Sequence, residues 1–188
     1  MNFKYKDNRS PNFFACSRLY KAHDDSCDLP EEMILQAQTA FLKIMNLNPE
    51  SLTDDLRPIF AELEDIANFE KIKNHLPKII PRLIFPQLVA FLALTKDPYI
   101  HRVVSHIIVI LSSDVTKSLI ELEKSDILGA VDVSMSVFKF PYSTDYLFQI
   151  IANFIDDPNP NVSLYAHNLY TIEYLFKIFQ YIKGLLKE

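Results

Sequence analysis

Two histidines five residues apart, His101 and His106, sit inside the apolar run PYIHRVVSHIIVILSS. Imidazoles ligate metals and move protons, but a metal held by one helix needs its ligands at i and i+4. Five steps place them on different faces, so both read as exposed or groove-lining side chains. Cys16, His23 and Cys27, with Asp24, Asp25 and Asp28 between and beside them, are zinc-type donors. Their spacing matches no paired CxxC pattern, and a structural site needs four ligands, so a solvated acidic turn with free thiols is expected. The carboxylate pairs Asp54/Asp55 and Asp156/Asp157 are adjacent in sequence. Neighbours on a helix diverge by about 100°, which makes them helix-end charges and not an acid/base dyad. No nucleophile, base and orienting group fall into a recognisable set. The sequence therefore predicts a non-enzyme with no catalytic, cofactor-binding or metal-binding residues.

The elements that would position any such residues are helical. Glycine occurs only at Gly129 and Gly184 in 188 residues. Phosphate-cradling loops and tight hairpins need glycine for positive φ and close backbone approach, which argues against Rossmann and P-loop sites. Nearly half the chain is hydrophobic, enough for one folded domain with a sizeable core. Charge is uneven: residues 1–21 are basic, residues 23–70 strongly acidic, and the remainder balanced. No basic face stands out, so no specific nucleic-acid partner is expected. The charged start has no apolar core of a secretory signal, and the longest apolar run, residues 83–95, is too short to span a bilayer. These features predict a cytoplasmic or nuclear chain: a tail over 1–28, basic then acidic, and a helical domain over 29–188.

An internal echo organises that domain. KDPYIHRVVSHIIVILSSD (96–114) aligns without a gap on KFPYSTDYLFQIIANFIDD (139–157), 43 residues later. Lys96/Lys139, Pro98/Pro141, Tyr99/Tyr142, Ile107/Ile150, Ile108/Ile151 and Asp114/Asp157 are identical, and Val104/Leu147 and Leu111/Phe154 keep apolar character. Positions 104, 107, 108 and 111 trace one helical face, and each helix starts just after a proline. Upstream, a second helix is predicted over 86–95 and again over 129–138, with room for a short third over 114–127. Residues 33–45 and 52–69 read as another helix pair. Residues 171–186 read as an amphipathic helix ringed by Tyr170, Tyr174, Phe176, Phe179 and Tyr181, a candidate surface for self-association.

A unit of this length is the period of armadillo and HEAT repeats. IFPQLVAFLALTKDPYIHRVVSHIIVILSS resembles the second and third helices of an armadillo repeat, and KSDILGAV resembles the small-residue entry to the next. The resemblance is closest over 83–157 and looser over 33–74 and 171–186. It implies an all-α, right-handed α-solenoid, an armadillo-like superhelix of about three to four short repeats. A separate short helix over 114–124 would distinguish armadillo from HEAT. In the armadillo family the third helix lines a concave groove that holds extended peptides. Import adaptors and catenins place there a tryptophan and, four residues later, an asparagine. The aligned positions are His106/Ile110 and Gln149/Asn153; only Asn153 matches, and the chain has no tryptophan.

The resemblance thus implies a scaffold or adaptor binding another protein or an extended peptide. Arg102, His106, Asp145, Gln149 and Asn153 are its candidate groove residues, and no cofactor is implied. Two alternatives stay open: a nuclear import adaptor-like peptide binder with a degenerate groove, and a helical enzyme or small-ligand binder with a closed pocket.

Overall fold

A computed structural model of the chain describes residues 29–51, 53–113, 116–138, 141–159, 161–163 and 166. The tail over 1–28 with its Cys16/His23/Cys27 cluster, Asp114 at the start of the short helix expected over 114–127, and the helix expected over 171–186 lie outside these residues. The described residues are all-α, with no strand among them.

Helix α1 (Glu31–Leu42) follows Pro30 and carries Glu31 and Glu32 in its first turn, where the dipole favours acids. Helix α2 (Thr53–Asn68) likewise begins with Asp54 and Asp55. Its buried residues, Leu56, Phe60, Leu63 and Ala67, recur at four- and three-residue steps. Two one-turn helices come next, α3 (Glu70–Lys73) and α4 (Leu76–Ile79), cut short around Pro77 and Pro81. Helix α5 (Phe85–Leu94) and helix α6 (Pro98–Ser112) form the first copy of the sequence echo. Helix α7 (Thr116–Lys124) is a separate short helix, and α8 (Ile127–Val133) and α9 (Thr144–Ile155) form the second copy.

The echo is matched by burial. Val104, Ile107, Ile108 and Leu111 are all buried, and so are Leu147, Ile150, Ile151 and Phe154. Corresponding helices are neighbours in space: α5 lies against α8 and α6 against α9, while α2 lies on another side of α6. Helix α6 also touches α4, α5 and α7. Surrounded in this way it buries far more than the predicted face at 104, 107, 108 and 111, beginning with Ile100 and Val103. His101, Ser105, Val109, Ile110 and Ser112 are buried as well. The expectation of an exposed or groove-lining His101 is thereby corrected.

Two local departures have visible causes. The helix expected over 129–138 starts earlier, at Ile127, and widens into a π-helical turn over Ser134–Phe138. There the Ser134 hydroxyl is shared between the carbonyls of Ala130 (2.8 Å) and Leu92 (2.9 Å), and Ser136 donates to the carbonyl of Asp132. Hydroxyls that compete for helical carbonyls loosen the i→i−4 ladder. At the entry to α8, Asp126 adopts a left-handed conformation (φ 59°). Its carboxylate lies over Gly129, where a Cβ would stand 2.4 Å from Oδ2. Glycine leaves room for that turn.

The start of α6 rests on Asp97, which is 2 % exposed. Its Oδ1 accepts the backbone N–H groups of Tyr99 (2.8 Å) and Ile100 (3.3 Å), and its Oδ2 accepts Arg57 Nε from α2 (2.7 Å). Burial pushes this carboxyl up, but the Arg57 bond and the two N–H groups outweigh it and hold it below the usual carboxylate range. Asp97→Ala should cost about 2 kcal/mol, the sum of a lost cap and a charge-assisted bond. Arg57→Ala should cost less, because two donors remain on the buried carboxylate. Urea denaturation measures both, and an unchanged midpoint in Asp97→Ala would remove Asp97 from this role.

Candidate functional site

Along the open edge of α6, residues 102, 106 and 113 project beyond the buried stripe, and α9 runs beside them. Between α9 and the α3–α4 corner a cleft of about 510 Å³ opens over the C-terminal half of α6. Its apolar floor is Val109, Ile110 and Pro77. Lys73 and Asn74 form one side, Tyr146 and Gln149 the other, with His106 and Ser113 along α6. The His106 and Tyr146 rings stack at 5.1 Å between centroids and 30° between planes, joining α6 to α9 at the rim. Burial, and then the nearby Lys73 charge, hold the His106 imidazolium form down, so the ring is neutral at neutral pH.

The five groove candidates divide. His106 and Gln149 line this cleft. Arg102 is directed elsewhere: its Nη2 donates to Glu64 Oε1 on α2 (2.6 Å), and its guanidinium lies 5.5 Å from the Tyr99 ring centroid. The Tyr99 hydroxyl donates to Glu64 Oε2 (2.8 Å), and burial followed by that carboxylate pushes its pKa to about 12. Asp145 is exposed in the first turn of α9, outside the cleft lining. The Asn153 amide donates to Ser112 Oγ (2.8 Å) and lies 3.5 Å from the Val109 carbonyl, a tie between α9 and α6. Lys73, Asn74 and Pro77 were not reached by sequence reasoning, because they precede the echo and have no aligned counterpart to mark them.

One histidine does meet a hydroxyl. His101 Nδ1 lies 2.8 Å from Ser143 Oγ, and both residues are fully buried. A base and nucleophile must meet a substrate, and this pair is sealed beneath the helices; its work is to satisfy polar groups in the core. Within the cleft, Ser113 is seven residues from His106, about 10 Å along the axis, beyond hydrogen-bond reach. The cleft therefore offers contacts: one cation, a flat stacked ring pair, two amides and an apolar floor.

Among the described residues no group of three or more His, Cys, Asp or Glu side chains could hold a metal ion. No described helix is long and apolar enough to cross a membrane. No family model, curated protein or solved structure matches this chain.

His101 gives the fold a pH dependence. Burial lowers its pKa from 6.5 to about 4, so the folded chain resists a proton that the unfolded chain accepts. Stability falls as pH drops through that window, by up to about 3 kcal/mol from this residue. The lowered His106 contributes in the same direction. Denaturant midpoints should fall between about pH 7 and pH 4, and His101→Gln should flatten that fall. Parallel profiles in the two proteins would assign the loss to other groups.

Proposed function

We propose that this protein is a non-enzymatic interaction module, a scaffold or adaptor. Its α6–α9 cleft holds an extended segment of another protein on the concave face of a right-handed armadillo-like solenoid. The observation that carries the reading is the cleft itself: it runs along two helices from aligned segments, α6 and α9, is bounded by the α3–α4 corner, and presents Gln149 and Asn74 amides above an apolar floor. Amides at a rim clamp a peptide backbone, and the floor accepts side chains. Three features support the architecture. Helices from aligned segments pack side by side. The short helix α7 stands apart from α8, as in an armadillo unit. Long-range side-chain bonds also join residues about one repeat apart: Gln38–Ile79, Arg57–Asp97, Gln87–Leu47, His101–Ser143 and Asn153–Ser112.

An import adaptor with a lysine-binding groove fits less well. Asn153, the position that would clamp a peptide, is bonded to Ser112, and the cleft already holds Lys73. A lysine-rich ligand would meet a like charge there.

Panning the full chain against random displayed peptides tests the proposal. Selected peptides should share a consensus, and Gln149→Arg should weaken them about tenfold, or about 1.4 kcal/mol, with helicity unchanged. Thr39→Arg, on an exposed position of α1, serves as the control. Peptides without a consensus, or indifferent to Gln149→Arg, overturn it.

A further inference from the structure

We infer that the cleft selects a peptide bearing an acidic side chain, and that Lys73 is the residue that reads it. This rests on the peptide-groove reading above and adds the chemistry of the ligand. Lys73 lines the cleft, is exposed, and makes no ion pair or hydrogen bond among the described residues. The other lining side chains are neutral: Asn74, Ser113, Gln149, the stacked Tyr146 and the imidazole of His106. Among the described residues no carboxylate lines the cleft.

The acid whose charge is felt at His106 is Glu64. Both of its oxygens are taken, Oε1 by Arg102 at 2.6 Å and Oε2 by Tyr99 at 2.8 Å. Arg102 and Glu64 thus cancel within their own pair, and Lys73 is the one charged side chain among the described residues lining the cleft, with no ion pair to Glu70 one turn before it on α3. A charge bordered by Val109, Ile110, Pro77 and two stacked rings is screened less than one in open water. The same field is visible in His106, whose protonation Lys73 opposes. An incoming carboxylate gains Lys73 as an ion pair and the amides of Asn74 and Gln149 as donors; an incoming ammonium gains a repulsion. Arg102, the side chain whose planar fork would suit a phosphate, is already committed to Glu64, which favours a carboxylate over a phosphorylated ligand. The chain's net charge of −5 opposes anions at long range, so the selection is local and weakens with added salt.

The test uses the full chain and three oriented peptide libraries, each random on both sides of a fixed central residue: Glu, Gln or Lys. The wild-type chain should retain the Glu library about fivefold over Gln, or about 1 kcal/mol, and should disfavour Lys. Lys73→Met should bring the Glu to Gln ratio to about one, and Lys73→Glu should reverse the order in favour of Lys. Lys73 is exposed, so neither substitution disturbs the core. A wild-type ratio near one, a preference for Lys, or a Glu preference that survives Lys73→Met overturns the inference alone. Retention of none of the three libraries overturns the groove reading itself.

Discussion

Helix α6 is buried on almost every side, and the rest of the molecule is arranged to make that possible. Helices α2, α4, α5, α7 and α9 all contact it. A helix apolar over most of its circumference is stable only when most of that circumference is covered. Its sequence, PYIHRVVSHIIVILS, supplies that coat but also brings three buried polar side chains, and each is met within reach. Ser105 returns its hydroxyl to the His101 carbonyl (2.7 Å), Ser112 to the Val109 carbonyl (3.0 Å), and His101 finds Ser143. Bonds to the helix's own backbone allow serine to be buried without a partner from elsewhere.

Packing alone would leave the neighbours of α6 free to slide, since apolar contact has no direction. Polar ties at the helix ends and rims set the register. Arg57–Asp97 and the Glu64–Tyr99–Arg102 cluster fix α2 against the first turns of α6. His101–Ser143 and Asn153–Ser112 fix the α9 segment near opposite ends of the same helix. The Ser134–Leu92 bond does this for α8 and α5. These pairs are half-buried or buried, where a hydrogen bond discriminates well between correct and slipped arrangements because a slip leaves polar groups unpaired.

What the sequence makes legible is whatever repeats with a helical period. The stripe at 104, 107, 108 and 111, its copy at 147, 150, 151 and 154, and the proline-led helix starts all follow from local pattern. The burial of His101 does not follow, because Ser143, its partner, comes from a turn 42 residues away. A faint signal exists: the aligned position, Thr144, is also a buried polar residue. Identity can also mislead. Tyr99 and Tyr142 are aligned and identical, yet Tyr99 is half-buried on Glu64 while Tyr142 is 78 % exposed. The position 43 residues beyond Glu64 is Ile107, which offers a hydroxyl nothing. Asn153 shows the same limit, since an unfilled amide and one bonded to Ser112 look alike in sequence.

The cleft follows from a shortage of helix. Between α2 and α5 the chain has only short turns, α3, α4 and a 3-10 turn over Arg82–Ile84, where a longer helix would have covered the flank of α6. Pro77 and Pro81 enforce that shortage: Pro77 sits in the first turn of α4, where it cannot continue a helix running on from α3, and Pro81 follows the end of α4 at Ile79. The flank around His106, Ile110 and Ser113 therefore stays open, and the corner that fails to cover it places Lys73 and Asn74 at its edge. Ile110 and Val109 lie at the bottom with only 5 % and 7 % of their surface exposed. So little apolar surface is open that the floor alone can hold a ligand only weakly. Discrimination has to come from the rim, where the Lys73 charge and the Asn74 and Gln149 amides are found. The residues that break the helix also put Lys73, the one charged side chain among the described lining residues, beside the opening they create.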